Sequence, residues 1–242
     1  MQRTESREYD FSTGLVTRVT DVDNGVSTST TYDVFGRPTL VKAADGKSEE
    51  TRTSTEYSDT LRRVIVRSDL NNVGDGRLVS IQHYDQLGRV RLTRQLEDSA
   101  NQSATDETTG IKVQTRYLYS GSNYFELASN PYRASSSGGA GGELTMGWTR
   151  SKHDQGGRVI EVQTFGGSGL PAPWGGNGTS TGTVNTSYNA NEATVTDQAG
   201  KSRKSVTDGL GRLVQIYEDP AGLNYQTSYS YDGLNNLVNV RV

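Results

Sequence analysis

One phrase recurs along the chain and limits it to one kind of architecture: Asp-x-x-Gly-Arg followed by an apolar residue. It stands as Thr207-Asp208-Gly209-Leu210-Gly211-Arg212-Leu213-Val214. Asp suits the first corner of a type I turn, because its carboxylate accepts a hydrogen bond from the backbone two residues on. Gly tolerates the left-handed conformation that leads back into a strand. A type I turn closed by a left-handed residue is the common three-residue hairpin loop. Beyond it, Glu218-Asp219-Pro220-Ala221-Gly222 reads as a second turn, with Pro at a corner that wants a fixed φ. Tyr225 to Tyr231 reads as the return strand, and Asp232-Gly233-Leu234-Asn235-Asn236-Leu237 as the next turn.

The same hairpin is opened by Tyr9-Asp10, Tyr32-Asp33, Tyr84-Asp85, His153-Asp154, Thr207-Asp208 and Tyr231-Asp232. The fourth residue after each opening is Thr13, Gly36, Gly88, Gly157, Gly211 or Asn235. The fifth is Gly14, Arg37, Arg89, Arg158, Arg212 or Asn236. Ser58-Asp59-Thr60-Leu61-Arg62-Arg63 and Thr196-Asp197-Gln198-Ala199-Gly200-Lys201 are degenerate copies. The openings at 9, 32, 58 and 84 are 23, 26 and 26 residues apart, and those at 207 and 231 are 24 apart. A near-constant period in the twenties marks a repeat architecture.

The copies Tyr32-Asp33-Val34-Phe35-Gly36-Arg37, Tyr84-Asp85-Gln86-Leu87-Gly88-Arg89 and Asp208-Gly209-Leu210-Gly211-Arg212-Leu213 resemble the YD repeat of the RHS (rearrangement-hotspot) family. That family is related to the repeats of teneurins and of toxin-complex shells. The resemblance implies a β-hairpin ribbon wound into a hollow shell, with a non-enzymatic, encapsulating or adhesive role. The spacing by itself implies only repeated hairpins.

Composition agrees with an open β structure. Apolar residues make 31% of the chain, against about 45–50% (a count that includes Gly) in ordinary domains. A net charge of −3 is too small to oppose collapse, so low hydrophobicity does not imply disorder. Thirteen Tyr, with many Thr and Val, favour strands. A sheet wetted on both faces is expected. There is no Cys, hence no disulfide. The near-balanced charge gives no basic footprint for nucleic acid. No apolar run approaches the ~20 residues of a membrane span, and Met1-Gln2-Arg3-Thr4-Glu5 lacks the apolar stretch of a signal peptide.

The whole of 1–242 reads as one repeat array, regular over 1–96 and 193–242, loop-rich and degenerate over 97–192. Strands are expected at Leu15 to Thr20, Val26 to Tyr32, Pro38 to Ala43, Lys47 to Tyr57, Val64 to Arg67, Leu78 to Tyr84, Val90 to Leu96 and Val113 to Tyr119. Asp98 to Thr109 reads as a polar loop. Ser120 to Gly147 reads as irregular, centred on the flexible octet Ser135 to Gly142, and Phe165 to Gly182 as a second loop. Tyr119 and Tyr188 are candidate worn openings.

No catalytic, cofactor or metal site is expected. His83 and His153 lie far apart, and His153 holds a Tyr position of the repeat. Without Cys, no ligand-spaced zinc cluster forms. Asp69-Leu70-Asn71-Asn72-Val73-Gly74 echoes a calcium loop, but Val73 and Ser80 break the ligand pattern, so a plain turn is expected. Gly138 to Gly142 lacks the Lys-Ser/Thr end of a phosphate loop. Asp219-Pro220-Ala221-Gly222-Leu223 resembles a motif near the self-cleavage region of larger RHS cores, yet a turn explains each residue. The opening Tyr offers a flat face for a sugar or for its neighbours within a ladder, the latter being expected. The Arg after Gly could hold an anion, but its stem is expected to cover neighbouring strands.

The residues expected to carry the repeat are Tyr32, Asp33, Gly36, Arg37, Tyr84, Asp85, Gly88, Arg89, Asp154, Gly157, Arg158, Asp208, Gly211, Arg212, Tyr231 and Asp232. Positive φ is expected at Gly36, Gly88, Gly157, Gly211 and Gly222. The resemblance implies a wall in a secreted or surface protein, with the remaining repeats of the parent chain and an enclosed C-terminal toxin as partners. A carbohydrate-binding or adhesive module is the alternative, with glycans as partners. The uncapped ends suggest a fragment that is marginally stable alone and self-associates through its terminal hairpins.

Overall fold

The computed structural model describes residues 4–133, 143 and 145–242. The Ser135 to Gly142 octet lies outside them. The described residues form eighteen strands and no helix, so the chain is an all-β array of antiparallel hairpins. It divides into two compact units, Met1–Thr115 with Pro131–Ser137, and Arg116–Asn130 with Gly138–Val242.

The first unit contains β1 (Glu5–Tyr9), β2 (Val16–Asp21), β3 (Val26–Tyr32), β4 (Pro38–Ala43), β5 (Thr51–Ser58), β6 (Arg63–Ser68), β7 (Leu78–Tyr84), β8 (Val90–Leu96) and the start of β9 (Ile111–Ser120). Each strand pairs antiparallel with its chain neighbours. The second unit contains the end of β9, then β10 (Asn123–Ser129), β11 (Gly147–His153), β12 (Val159–Gly166), β13 (Thr179–Asn189), β14 (Glu192–Thr196), β15 (Ser202–Thr207), β16 (Leu213–Glu218), β17 (Tyr225–Tyr231) and β18 (Leu237–Arg241). β10 to β18 again pair antiparallel in chain order.

Register shows a regularity that spacing cannot. The pairing slips by one residue immediately before Tyr9, Tyr32, Tyr84, His153, Thr207 and Tyr231. Each turn is thus entered through a β-bulge, which re-aims one side chain and increases local twist. The re-aimed residue is the opening residue of the repeat.

Three expectations need correction. Lys47 to Glu50 belong to tight turns, with Lys47 N–H donating to Ala44 O and Glu50 N–H to Lys47 O, so β5 starts only at Thr51. The stretch read as irregular from Ser120 contains β10, paired with β11. Its Asn, Tyr, Phe and Glu lack a clean alternation. The first repeat is one residue longer than aligned. Gly14 N–H bonds back to Asp10 O and Tyr9 pairs with Val16, whereas Gly36 bonds to Asp33 and Tyr32 pairs with Pro38. Gly14 is the left-handed residue, and Leu15 stands in the Arg place.

Wetting of both faces describes β2 and β4, in which no residue is fully buried. It fails at β6 to β8. There Ile65, Val79, Ile81 and Leu96 alternate onto one face and pack with Ala104 of the 97–110 loop. In the second unit, Leu127, Trp148 and Phe165 are buried along with Met146 and Pro171. The 167–178 loop folds against these strands: Trp148 Nε1 donates to Ser168 O (3.4 Å) and Arg150 Nη1 to Ala172 O (2.6 Å).

Candidate functional site

The recurring structure is a latch built at each turn. In the second copy, Asp33 Oδ1 accepts the N–H of Phe35 and of Arg37, both at 2.9 Å, while Oδ2 accepts Arg37 Nε at 2.7 Å. The carboxylate therefore caps two backbone donors of its own turn and fixes the guanidinium. The same pattern holds Arg89 on Asp85, Arg158 on Asp154 and Arg212 on Asp208, each Nε–Oδ2 contact at 2.8 Å. Asn236 replaces Arg at Asp232, and Lys201 N–H still reaches Asp197. Gly36, Gly88, Gly157 and Gly211 all have φ between +76° and +79°, where a Cβ would be strained.

Gly222 does not follow. It has no positive φ; in its turn Asp219 (φ 49°) and Asn224 (φ 53°) take the left-handed positions. Gly222 N–H still bonds to Asp219 O at 3.0 Å. Pro at the second corner admits the same i to i+3 bond, but this loop is longer, so the chirality change falls elsewhere.

The latch reaches the following hairpin through Tyr. Tyr32 Oη donates to Val16 O (2.6 Å), Tyr57 to Pro38 O (3.0 Å), Tyr188 to Val159 O (3.0 Å) and Tyr231 to Leu213 O (2.8 Å). Each acceptor is the first residue of the strand that leaves the preceding turn. The guanidinium of that turn lies on the Tyr ring: Arg37 over Tyr57 at 4.3 Å, Arg158 over Tyr188 at 4.6 Å and Arg212 over Tyr231 at 4.9 Å. Such a contact contributes about 0.5–1 kcal/mol when exposed. Tyr rings therefore lie under Arg. Arg37 also spans to Asp59 with Nη1 at 2.7 Å and Nη2 at 3.2 Å. Tyr84 departs, donating to Gln82 Oε1 at 2.6 Å. Tyr188 takes the opening role, whereas Tyr119 is exposed and lies beside Tyr124 at 4.9 Å.

The electrostatics follow from this geometry. The Arg212 side chain holds the Asp208 carboxyl below its ordinary value, and the backbone and side chain of Arg158 do the same at Asp154. At Asp33 partial desolvation opposes the shift, and the donors of Arg37 and Phe35 outweigh it. Arg37, bonded to Asp59 and Asp33, is raised.

The 97–110 loop is held by charges that sequence reasoning missed. Arg94 is fully buried and donates to Thr109 O, Ala104 O, Ser103 O and Thr109 Oγ1. Lys112 Nζ donates to Thr108 O and lies over the Tyr132 ring. The signal available was weak: Arg94 interrupts an alternation otherwise apolar, Leu92-Thr93-Arg94-Gln95-Leu96. Buried His83 faces Glu107 at 3.3 Å, and burial lowers its pKa to about 4, with Arg91, Arg94 and Arg63 adding to the shift and Glu107 opposing it. His153 Nδ1 lies 3.1 Å from Gly157 O, inside its own turn.

The calcium-like loop is a turn whose carboxylates are already used. Asp69 accepts Gly74, Gly76 and Arg52 N–H, and Asp75 accepts Leu70, Asn71, Asn72 and Arg77 N–H. The N–H of Leu70 is the first cause of a fall in the Asp75 pKa to about 2. Among the described residues no group of three or more His, Asp or Glu is placed to hold a metal ion.

Hairpins latched turn to strand define a β-hairpin repeat protein. The RHS Repeat family model matches residues 9–48, from the opening Tyr9 through the latch of Asp33 and Arg37. That stretch is thus similar to the RHS repeat, and the same latch recurs at Asp85, Asp154 and Asp208 beyond the matched stretch. No curated protein matches the chain. A porin-like protein from Bacteroides uniformis aligns over 96% of this chain and 86% of its own, at 11% identity and a TM-score of 0.24. That value carries no argument.

Proposed function

We propose that the chain is wall: a non-catalytic segment of an RHS-type encapsulating shell in a secreted or surface protein, joined to further repeats of its parent chain and enclosing a C-terminal toxin domain. The observation that supports this is the latch. It commits the motif Asp and Arg side chains to their own turn or the next hairpin, and most of the Tyr side chains to the preceding hairpin. A motif repeated for ligand binding would instead present these groups outward. A wall needs what the latch provides, a fixed spacing between hairpins that does not depend on a large core.

One observation favours an adhesive, glycan-binding reading. Exposed Tyr119 lies against half-buried Tyr124, whose chain neighbour Asn123 lines an open groove with Asp154, Gln155 and Arg158, and an aromatic face beside amide and carboxylate groups suits a sugar. Two measurements separate the readings. In the full parent protein, the wall reading expects the region after Val242 to resist protease, with no glycan bound on an array. A glycan that binds the chain and is lost in Tyr119→Ala, with the fold intact, overturns it in favour of the second. Turnover of any substrate that one substitution at His83 or His153 abolishes overturns both.

A further inference from the structure

Away from the latches, the β2–β3 turn holds a pair of residues whose own chemistry the fold leaves open. Asn24-Gly25 is one of two Asn-Gly pairs in the chain, the other being Asn177-Gly178. In such a pair the backbone nitrogen of Gly can attack the side-chain carbonyl carbon of Asn. Gly permits this because it has no Cβ to crowd the approach and its backbone rotates freely. A bond forms between that nitrogen and the carbonyl carbon, the bond to Nδ2 breaks, and ammonia leaves a cyclic imide. Water then opens either imide carbonyl, giving aspartate or isoaspartate. Water enters and ammonia departs, so the balance needs neither an oxidant nor an enzyme.

The two pairs stand in opposite surroundings. Asn24 and Gly25 are both exposed. Gly25 has a φ of +62° with open space where a Cβ would stand, and its N–H makes no hydrogen bond among the described residues. Asn24 is held by Asp21, to which its N–H donates at 3.3 Å and Nδ2 at 2.8 Å. At the other pair, Asn177 N–H donates to Leu170 O at 2.9 Å. The Gly178 backbone lies so close to buried Phe165 and Pro171 that a Cβ there would meet each at 2.9 Å. Turning that peptide to bring its nitrogen onto the Asn177 side chain drives it into these neighbours. Ring closure there waits on local opening of the 167–178 loop.

We propose that Asn24 is a site of spontaneous deamidation in the folded chain, and that the fold shields Asn177 from the same reaction. Conversion puts a further carboxylate into a turn that already holds Asp21 and Asp23. Isoaspartate also runs the backbone through its Cβ, which lengthens the Val22–Gly25 link between paired Asp21 and Val26. That turn holds the chain entering β1: Thr4 N–H donates to Asp23 Oδ2 at 2.8 Å, and Val22 N–H to Thr4 O at 3.1 Å. The site involves no latch residue and does not rest on the wall reading.

The test is incubation of the full chain in mildly alkaline buffer at physiological temperature, with peptide mapping by mass spectrometry over several weeks. Labelling by an isoaspartate methyltransferase marks the rearranged product. The native chain is compared with the chain unfolded in guanidinium chloride and with Asn24→Gln, whose fold is checked by far-UV circular dichroism. In the native chain Asn24 should convert at least about tenfold faster than Asn177, because the packed loop must first open. In guanidinium the two rates should agree within about twofold, since the fold no longer separates them. Asn24→Gln keeps an amide but needs a larger ring, so conversion at this position should be lost. The proposal is overturned if Asn24 stays intact in the native chain, if the two native rates agree, or if Asn24→Gln converts as fast as wild type. A rate difference that persists in guanidinium belongs to local sequence and overturns the shielding of Asn177 by the fold.

Discussion

Strands β2 to β4 and strands β6 to β8 belong to the same unit and carry the same turn motif, yet they are stabilised differently. Over β2 to β4 nearly every residue is half exposed, and the specific contacts are latches: Asp33 to Arg37, Arg37 to Tyr57, Tyr32 to Val16 O. Over β6 to β8 a loop folds down on one face, Ile65, Val79, Ile81 and Leu96 are buried, and Arg94 ties the loop by its carbonyls. The second unit repeats the contrast, with Trp148 and Phe165 under the 167–178 loop and β15 and β17 uncovered. The latch sets spacing and register, and the non-repeating loops create the cores.

That contrast can be broken from the covered side. Trp148→Ala should destabilise the second unit by about 3–5 kcal/mol, since a large buried side chain leaves a cavity. Both Trp residues, Trp148 and Trp174, lie in this unit, so the remaining Trp174 fluorescence reports its unfolding in a urea series. A cost below about 1 kcal/mol would mean that the loop contributes no core. Arg94→Met should cost about 2–3 kcal/mol, because three loop carbonyls lose a buried donor. It should also open 97–110 to protease before any other segment of the first unit. Cleavage that begins in the β3–β4 turn instead would reverse the comparison.

Acid sharpens it. His83 has a folded pKa of about 4, below its unfolded value of about 6.5. It is neutral when folded, so its contribution is complete above pH ~6.5 and is lost as pH falls from there toward 4, on the order of 1–2 kcal/mol at pH 5. The turn carboxylates Asp33 and Asp208 are depressed instead, so their contribution persists until pH falls below ~4. Hydrogen exchange at pH 5 should therefore show 97–110 loosened while the β3–β4 and β15–β16 turns stay protected. His83→Gln should remove the difference. The smallest effect is at the latch: Arg212→Ala, which removes a half-buried surface ion pair and one Arg–Tyr contact, should cost about 1 kcal/mol. Arg37→Ala should cost slightly more, because Arg37 also holds Asp59. Equal losses at both sites in 1 M salt and in low salt would show that the ionic part is negligible.

The turns were legible from sequence because their chemistry is local. Asp accepts donors two and four residues on, and Gly36 or Gly211 supplies a conformation that few residues adopt, so a six-residue window suffices. Gly222 shows where that fails: Asp-Pro-x-Gly looks the same in the window, but loop length decides which residue turns left-handed. The first repeat shows it again, since one extra residue moves Leu15 into the Arg place without altering composition. The Arg and Tyr of the latch were each visible, but not their pairing. Arg37 meets Tyr57 only because a bulge at the opening residue and two strand registers carry them together.

The amino-acid sequence therefore determined that this chain is a series of hairpins, where most of them turn, and which side chains recur at each turn. Tertiary structure decided what those side chains are for, since a latch spans two hairpins that no local rule connects. It also decided which faces are dry. Loops 97–110 and 167–178 are polar or Gly- and Pro-rich stretches that a composition-based reading leaves in solvent. Their docking onto the strands depends on Arg94, Trp148 and Arg150 meeting backbone carbonyls of these loops. Carbonyls are present at every residue, so sequence cannot say which of them a buried donor will find.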